Sequence, residues 1–376
     1  MEIKPKSNSE VVIIGGGIMG CSAALRLAQA GAKVTLIERG EIGQEASAAA
    51  AGMLAPQGEM IEPPAFSDLC MKSRDLYPQF ASEVEELSGE RIAYKQDGTV
   101  LVGISEEECK ELEETFHIQT QRGLPLERLT GDEVRRRVPG LAAEIRLALF
   151  VPGDHWLDNV NLMSGLAKAC SRLGVSVRTR TEVTKLNARG GRVESVTVGH
   201  NGSSSEIAGE QYVLAAGCWS RELAATTGLA LAMQPCRGQM MEFETPTELP
   251  HVIRCGKHYV VPRGRRAIVG TTAEFGEGEK GVTEEGLRSI LEGVARIAPM
   301  VEGFKKLSTW SGLRPDTSDH LPAIGRGEPA NLVFATGHFR NGILLAPATA
   351  QLVRDLVLRG KTADPIELYQ PERLRK

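Results

Sequence analysis

The first 40 residues of the chain alternate between apolar runs and polar turns in the order of a strand, a helix and a second strand. Residues 11–14 are apolar, and the Ala- and Leu-rich stretch 21–30 ends at Gly31, a residue typical of helix C-termini. Residues 33–37 are again apolar and end at Glu38. The pattern therefore predicts a βαβ unit at the start of the chain.

The same alternation returns later in the chain. It predicts a helix over 159–173, a strand at 175–178, a hairpin of strands at 182–186 and 193–200, a strand at 211–214, a strand over 331–336 and a helix over 343–359. These elements extend the α/β pattern of the first 40 residues towards the C-terminus.

Between these parts the periodicity changes. Residues 65–88 carry apolar side chains at helical spacing, which predicts one amphipathic helix or two, with Pro78 as a kink or a new start. Ser105 and Thr130 each precede a Glu by three residues, as in capping boxes. Short strands separated by Pro, Gly and charged turns over 233–270 predict an antiparallel sheet.

Composition and charge exclude several classes of protein. The net charge is −4 and Lys and Arg are scattered, which argues against nucleic acid as a partner. The short basic runs 135–137 and 263–266 are interpreted as solvated charges. Seven cysteines without a Cys-x-x-Cys pair indicate neither a disulfide framework nor a zinc site, and we expect buried free thiols and no metal.

The chain contains no apolar segment of about 18 residues, the minimum for a membrane span, and its polar start leads directly into the first strand. We therefore expect a soluble cytoplasmic protein without a signal peptide and without membrane insertion.

Gly15, Gly17 and Gly20 follow the spacing Gly-x-Gly-x-x-Gly between the first strand and the first helix. In dinucleotide sites the first glycine permits a tight turn, the second lets a pyrophosphate approach the backbone, and the third allows close helix–strand packing. The phosphates then lie at the helix N-terminus. Glu38 is the acidic residue expected to bind a ribose hydroxyl, which makes an ordinary βαβ unit with an incidental Gly turn the weaker alternative.

Two further segments are candidates for close approach of a flat ligand to the backbone. Residues 45–54 have unusually small side chains and are interpreted as a loop and helix start beneath a cofactor, with a plain Ala-rich helix as the alternative. The strand at 211–214 leads to Ala-Ala-Gly ending at Gly217, which is a second approach point or a simple strand-to-helix turn.

Three segments together resemble the D-amino acid oxidase superfamily of FAD-dependent amine oxidases. They are the unit from Gly15 to Glu38 with its Ala-rich loop, the segment 310–316 (Trp-Ser-Gly-Leu-Arg-Pro-Asp) and the segment 337–347, which is the most specific. The resemblance covers nearly the whole chain. Within the superfamily the sequence more closely resembles the glycine-oxidising branch of bacterial thiamine biosynthesis.

The resemblance implies FAD as the cofactor. It places the adenosine on Glu38 and Arg39, the pyrophosphate over the glycine-rich turn and the isoalloxazine against 51–53, while Val183 meets the adenine through its backbone. The start of the last helix offers N–H groups to an anionic reduced flavin. The implied cofactor-binding residues are Gly15, Gly17, Ile18, Met19, Gly20, Glu38, Arg39, Ala46, Ser47, Ala51, Gly52, Met53, Val183, Gly217, His338, Phe339, Arg340, Asn341, Gly342, Ile343 and Leu344.

By the same resemblance, Arg314 binds the substrate carboxylate, Arg340 is a second contact near the flavin, and the hydroxyl of Tyr259 assists at the carboxylate. Arg suits this role because its planar guanidinium donates two parallel N–H bonds. Either Arg could instead be structural, and Tyr259 a core residue. The chain departs from the family at Ala46, where relatives often have a hydroxyl residue, and at Ala273, whose small side chain would widen the substrate pocket.

These inferences define an α/β fold of two domains, since 376 residues exceed what one core usually supports. The expected domains are a Rossmann-like FAD-binding domain of segments 1–88, 148–228 and 308–376, and a smaller antiparallel-sheet substrate domain of 89–147 and 229–307.

The expected activity is oxidative deamination of glycine, and possible further substrates are sarcosine or small D-amino acids. The products are a 2-oxo acid, ammonia and hydrogen peroxide, with molecular oxygen as acceptor. The resemblance further implies a homotetramer that serves thiazole formation in thiamine biosynthesis. Two alternatives stay open: a D-amino acid or sarcosine-type dehydrogenase that passes electrons to a membrane carrier, and a non-catalytic FAD-binding protein.

Overall fold

The structure is a computed structural model that describes residues 10–59, 63–200 and 202–375. The α-helices within them are α1 (Ile18–Gln29), α2 (Ala46–Ala49), α3 (Pro64–Ser88), α4 (Glu106–Gln121), α5 (Gly131–Arg137), α6 (Asn159–Arg172), α7 (Ser220–Ala225), α8 (Glu284–Ala295) and α9 (Gly342–Arg359).

The strands within the same residues are β1 (Glu10–Ile14), β2 (Lys33–Ile37), β3 (Met53–Leu54), β4 (Tyr94–Lys95), β5 (Thr99–Gly103), β6 (Glu127–Thr130), β7 (Leu147–Val151), β8 (His155–Leu157), β9 (Ser176–Arg178), β10 (Glu182–Arg189), β11 (Arg192–His200), β12 (Ser203–Ala208), β13 (Gln211–Leu214), β14 (Met233–Glu244), β15 (Val252–Cys255), β16 (His258–Pro262), β17 (Arg266–Gly270), β18 (Glu274–Phe275), β19 (Lys305–Thr317), β20 (Ala323–Arg326) and β21 (Leu332–Thr336).

The first lobe is built on a sheet with the strand order β20-β21-β13-β1-β2-β9, in which every neighbouring pair except β20–β21 is parallel. Residues 11–14 of β1 are buried on both faces. Val11 and Ile13 pack with α1, α3, α6 and α9, whereas Val12 and Ile14 pack with the hairpin β10–β11 and α7. Because parallel strands run in one direction, the carboxyl ends of β1, β2, β13 and β21 meet at one edge.

The second lobe is a largely antiparallel sheet with the strand order β18-β14-β17-β16-β15-β5-β7-β6, to which β19 adds by pairing with β14. One face is covered by α5 and α8 through residues such as Val134 and Ile290. On the opposite face, Met240 of β14, Gly270 of β17 and Tyr259 of β16 lie side by side as cross-strand partners. This second face is turned towards the carboxyl edge of the parallel sheet.

The predicted division of the chain into domains needs correction at two boundaries. The strands β7 (Leu147–Val151) and β19 (Lys305–Thr317) belong to the antiparallel sheet, although segments 148–228 and 308–376 were assigned to the FAD-binding domain. The apolar pattern of β7 fits either type of sheet, and β19 is mostly polar, so neither pattern assigns its strand to a sheet.

Several local predictions are confirmed. Ser105 and Thr130 both form complete capping boxes, and 64–88 is one continuous helix with Pro78 inside it. The hairpin β10–β11 carries a third strand, β12, which the apolar pattern did not predict because its side chains are mostly exposed and polar.

All seven cysteines lie in the described part of the chain and are free, and five of them are buried. Within the residues that the structure describes, no group of His, Cys, Asp and Glu side chains is placed to hold a metal ion. No helix among the same residues has both the length and the apolar character needed to span a membrane.

Candidate active site

A cavity of ≈ 430 Å³ lies at the carboxyl edge of the parallel sheet, facing the second lobe. Its lining contains Arg314, Arg340 and Tyr259, and every predicted cofactor-binding residue except Gly20. The structure therefore brings together side chains that are more than 300 positions apart in the sequence.

The glycine-rich turn has the geometry that its spacing predicts. Gly15 has φ +106°, and a Cβ there would lie 2.4 Å from the carbonyl oxygen of Ala215. A Cβ on Gly20 would lie 1.9 Å from the carbonyl oxygen of Gly15, so this glycine serves helix–strand packing and does not line the cavity. A Cβ on Gly17 would approach only Ser47 Oγ, at 3.2 Å, which leaves the backbone open to a pyrophosphate.

Glu38 lines the cavity, but its carboxylate also holds the turn together. One oxygen accepts a 2.7 Å hydrogen bond from the Gly16 N–H, and the other accepts a 2.8 Å bond from the Gly40 N–H. Carboxylate oxygens have further lone pairs, so these bonds leave capacity for a ribose hydroxyl. The sequence motif predicted the ribose role, which stays a prediction, and did not predict this structural one.

Arg39 is held by two residues that the sequence analysis did not select. Its guanidinium lies 3.3 Å from the centre of the Trp219 ring and forms a 2.8 Å ion pair with Glu45. All three residues line the cavity near Gly217. The sequence did contain a signal for Trp219, which lies two residues after Gly217, a glycine interpreted as a point where a ligand approaches the backbone.

The small-residue segment forms α2 and then passes along the cavity as a loop, as predicted. Asn159 Nδ2 donates to the carbonyl oxygen of Ser47 at 2.6 Å, and Arg263 Nη2 donates to that of Ala51 at 3.0 Å. Arg263 also donates to Asn159 Oδ1 at 2.8 Å and pairs with Asp158 at 3.4 Å.

The interpretation of the run 263–266 as solvated charges is therefore wrong for Arg263, whose side chain is only 9% exposed. A guanidinium in a turn is normally free to enter water, but here its donors match carbonyl and carboxylate oxygens supplied by the other lobe.

The start of α9 is held in place by α3. Pro347 has no N–H to donate to the carbonyl of Ile343, and the hydroxyl of Tyr77 donates to that carbonyl instead. Ser73 Oγ similarly donates to the carbonyl oxygen of Leu344 at 2.7 Å. These contacts fix the helix end that the resemblance places against the flavin.

His338 precedes this helix and is buried, with Nε2 3.1 Å from Thr349 Oγ1. Burial lowers the pKa of His338 to about 3. The imidazole is therefore neutral at physiological pH and adds no positive charge to the cavity.

The predicted substrate residues lie on the face of the antiparallel sheet that borders the cavity. Arg314 donates from Nη2 to Thr271 Oγ1 at 2.8 Å and from Nη1 to the carbonyl oxygen of Thr272 at 3.2 Å. Tyr259 is buried and its hydroxyl donates to Met240 Sδ at 3.1 Å. Burial raises the pKa of Tyr259, although Arg314 opposes the rise, so the phenol keeps its proton.

Glu59 is a largely buried carboxylate at the cavity wall that no motif indicated. It forms ion pairs with Arg254 at 3.3 Å and with Arg340 at 3.4 Å. Burial raises the pKa of Glu59, but Arg254, Arg340 and Arg314 together outweigh this and hold it below its ordinary value. The group is therefore ionised and anchors the second predicted arginine.

The expectation that Ala273 widens the substrate pocket is wrong. Ala273 is exposed and does not line the cavity, whereas Thr271 does. Since Arg314 binds Thr271 and Thr272, the chain turns outward before it reaches Ala273.

An open glycine backbone at a helix start, an acidic residue at the end of the next strand and a long cavity between two lobes fit FAD. The sequence pattern of the family described as FAD dependent oxidoreductase matches residues 10–356, and the chain belongs to this family. This confirms the resemblance and FAD as the cofactor.

Individual relatives are more specific. The chain is 34% identical over 360 residues to the glycine oxidase of Geobacillus kaustophilus, which covers 94% of each protein. The crystal structure of glycine oxidase from Geobacillus kaustophilus matches with a TM-score of 0.91 at 32% identity, over 97% of this chain and 98% of the other.

The chain is also 34% identical over 374 residues to the bifunctional protein ThiO/ThiG of Trichormus variabilis. That match covers 98% of this chain and 55% of the relative, so the chain spans about half of that longer protein.

Proposed function

We propose that the protein oxidises glycine to the 2-oxo acid glyoxylate, with FAD as cofactor and molecular oxygen as acceptor. The observation that carries the proposal is that Arg314, Tyr259 and Arg340 line the same cavity as the predicted cofactor-binding residues. The similarity to glycine oxidases over nearly the whole chain supports the choice of substrate.

The proposed reaction consumes glycine, oxygen and water and yields glyoxylate, ammonia and hydrogen peroxide. When bound, FAD supplies the acceptor for the hydride that leaves the substrate Cα. Arg314 binds the carboxylate with its planar guanidinium, and the protonated phenol of Tyr259 donates a further bond to it. Together they fix the orientation of the Cα–H bond.

A neutral amine that loses a hydride requires no general base. This agrees with the residues of the cavity, where His338 is hydrogen-bonded to Thr349 and Glu59 is paired with Arg254 and Arg340. Water releases ammonia from the imine once the product leaves the cavity. The contribution of the protein is therefore orientation, charge stabilisation and exclusion of water.

The resemblance supports two further parts of the proposal: a role in thiazole formation for thiamine and a homotetrameric assembly. A cytoplasmic location is proposed as well. Sarcosine and small D-amino acids are the proposed secondary substrates, because they share the carboxylate and the amine.

The test is an anaerobic titration of the purified protein with glycine, sarcosine and D-alanine, with L-alanine as the control, while the flavin absorbance is followed. We expect glycine to bleach the flavin, and oxygen admitted afterwards to restore it with one hydrogen peroxide per flavin. Bleaching without reoxidation by oxygen would favour the dehydrogenase. A flavin that dithionite reduces but no amine does would favour a non-catalytic FAD-binding protein.

A further inference from the structure

The guanidinium of Arg314 lies directly on the backbone of β14 at Gly238. A Cβ on Gly238 would lie 2.2 Å from Nη1, 2.3 Å from Nη2 and 2.4 Å from Cζ of Arg314. Ordinary contacts between such atoms are about 3.5 Å. The flat face of the guanidinium therefore occupies the space that any side chain at 238 would take.

We infer that Gly238 is a positioning residue for the substrate carboxylate, acting through Arg314. The inference rests on the proposed function, in which Arg314 binds that carboxylate. Gly238 lines the cavity and pairs across strands with Gly312, so this part of the floor consists of bare backbone on two neighbouring strands. Because Gly238 has no side chain, the guanidinium of Arg314 can lie directly against the backbone of β14.

The hydrogen-bond partners of Arg314 are themselves held by other hydrogen bonds. Thr271 Oγ1 donates to the carbonyl oxygen of Gln239 at 3.1 Å, and the Gln239 N–H donates to Thr272 Oγ1 at 3.0 Å. The two threonines that bind Arg314 are thus tied to the same strand as Gly238. A methyl group at 238 would lift the guanidinium by about 1 Å, away from these partners and into the cavity.

The backbone itself tolerates the change. Gly238 lies inside β14 and does not have the positive φ that favours glycine, so alanine fits the strand without strain. The nearest obstacle is the movable end of a side chain. Substitution by alanine should therefore leave the fold and the cofactor site intact while it misplaces one binding group.

The experiment compares four proteins: the wild type, Gly238→Ala, Arg314→Ala and the double variant that carries both substitutions. Gly199→Ala is the matched control, because Gly199 also lies in a strand without positive φ and a Cβ there would meet nothing within 4 Å. FAD content and thermal midpoint are measured for every variant. Two quantities report on the site: the glycine concentration for half-maximal anaerobic reduction, and the dissociation constant of acetate from the change in flavin absorbance.

We expect Gly238→Ala to weaken both glycine and acetate binding about tenfold or more, because a displacement of about 1 Å is costly for oriented binding. In the Arg314→Ala background the same substitution should change either quantity less than about twofold, since the group it displaces is gone. FAD content and thermal midpoint should match those of Gly199→Ala.

Equal effects of Gly238→Ala with and without Arg314 would overturn the inference, and so would wild-type binding by Gly238→Ala when Arg314→Ala is impaired. If Arg314→Ala itself binds glycine and acetate normally, the failure lies in the proposed function. The two failures are thereby distinguished.

Discussion

At the scale of single residues, the site places charged groups where other groups restrict their orientation. Arg314 is fixed by two threonines, and Arg340 by the ionised carboxylate of Glu59. Side chains that are already ordered lose little conformational entropy when substrate binds. Arg314 and Arg340 are therefore already oriented before a small anion binds.

Arg314 should contribute strongly to substrate binding. A carboxylate that leaves water for a partly enclosed cavity needs a charge-assisted partner, so Arg314→Ala should weaken glycine binding by roughly 2–5 kcal/mol. Arg314→Lys keeps the charge but lacks the planar fork, and should fall in between. Anaerobic reduction by glycine measures both variants, with FAD content as control. If Arg340→Ala is impaired while Arg314→Ala is normal, the two roles are exchanged.

His338 should make the protein less stable in acid. Its folded-state pKa is about 3 because of burial, whereas histidine in an unfolded chain titrates near pH 6.5. Between these values the unfolded chain binds a proton that the folded protein does not, so stability is present above about pH 6.5 and falls as the pH decreases. The expected loss from this residue is roughly 2 kcal/mol between about pH 7 and pH 5.

Urea unfolding of the FAD-loaded wild type and His338→Gln at these two pH values checks the prediction, since glutamine can keep the bond to Thr349. His155, His251 and His258 are present in both proteins, and burial lowers their pKa values too, so their contribution cancels. The variant should lose less stability than the wild type. An equal loss in both would show that His338 does not cause it.

The sequence predicted the residues that line the cavity better than the contacts that support them. Gly15, Gly17 and Glu38 were found from spacing alone, because a phosphate-binding turn is a local structure. Arg314 and Tyr259 needed a resemblance to a family. Glu59 and Gly238 were missed and Arg263 was misinterpreted, since their partners lie far away in the sequence. For Trp219 the signal beside Gly217 was overlooked.

At the scale of elements, the order of strands and helices was largely predictable and the pairing of strands was not. Periodicity identifies an amphipathic helix such as α3 or a buried strand such as β1 within a few residues. It does not reveal which sheet a strand joins, and both the apolar β7 and the mostly polar β19 were misassigned for that reason. A strand with exposed side chains, such as β12, leaves no apolar signal at all.

The contact between α3 and α9 gives a prediction at this scale. Tyr77→Phe removes the donor to the Ile343 carbonyl that Pro347 leaves free, and both groups are buried. An unsatisfied buried carbonyl costs about 1–3 kcal/mol, so the free energy of unfolding should fall by that amount. Because the same turn borders the cavity, the flavin absorbance spectrum should also shift.

Tyr94→Phe is the control for this substitution. Its hydroxyl bonds to His155 but is partly exposed, so water can replace the lost partner and little stability should be lost. Denaturant unfolding compares the two variants. Equal losses of unfolding free energy in the two variants would show that the bond from Tyr77 to α9 contributes no more than a partly exposed one.

At the scale of the whole molecule, the lobes are joined by side chains that cross between them. Arg263 extends from the turn between β16 and β17 to Ala51, Asp158 and Asn159 in the other lobe. The indole Nε1 of Trp310, on β19, donates to the carbonyl oxygen of Ala49 at 3.1 Å. The segment 49–51, which lines the cavity, is therefore held by side chains of the second lobe.

Arg263→Met keeps much of the side-chain volume and removes the charge. It would leave Asp158 buried without its ionic partner, and breaking a buried pair in this way costs about 3–5 kcal/mol. We expect a lower free energy of unfolding together with weaker FAD binding, measured by urea unfolding and by fluorescence during cofactor release. Arg265→Met, two positions along in the same turn and exposed, should behave as wild type. Normal FAD affinity in Arg263→Met would show that the contacts of Arg263 with the other lobe do not support FAD binding.

The cofactor cavity combines β1, near one end of the sequence, with β21 and the first turn of α9, near the other. A ribosome that has translated the chain as far as β19 has delivered the glycine-rich turn but not the wall opposite it. Capture of FAD must therefore follow synthesis of α9, and chains that terminate before it should be colourless. The flavin absorbance of a preparation thus measures the fraction of molecules whose chain extends through α9.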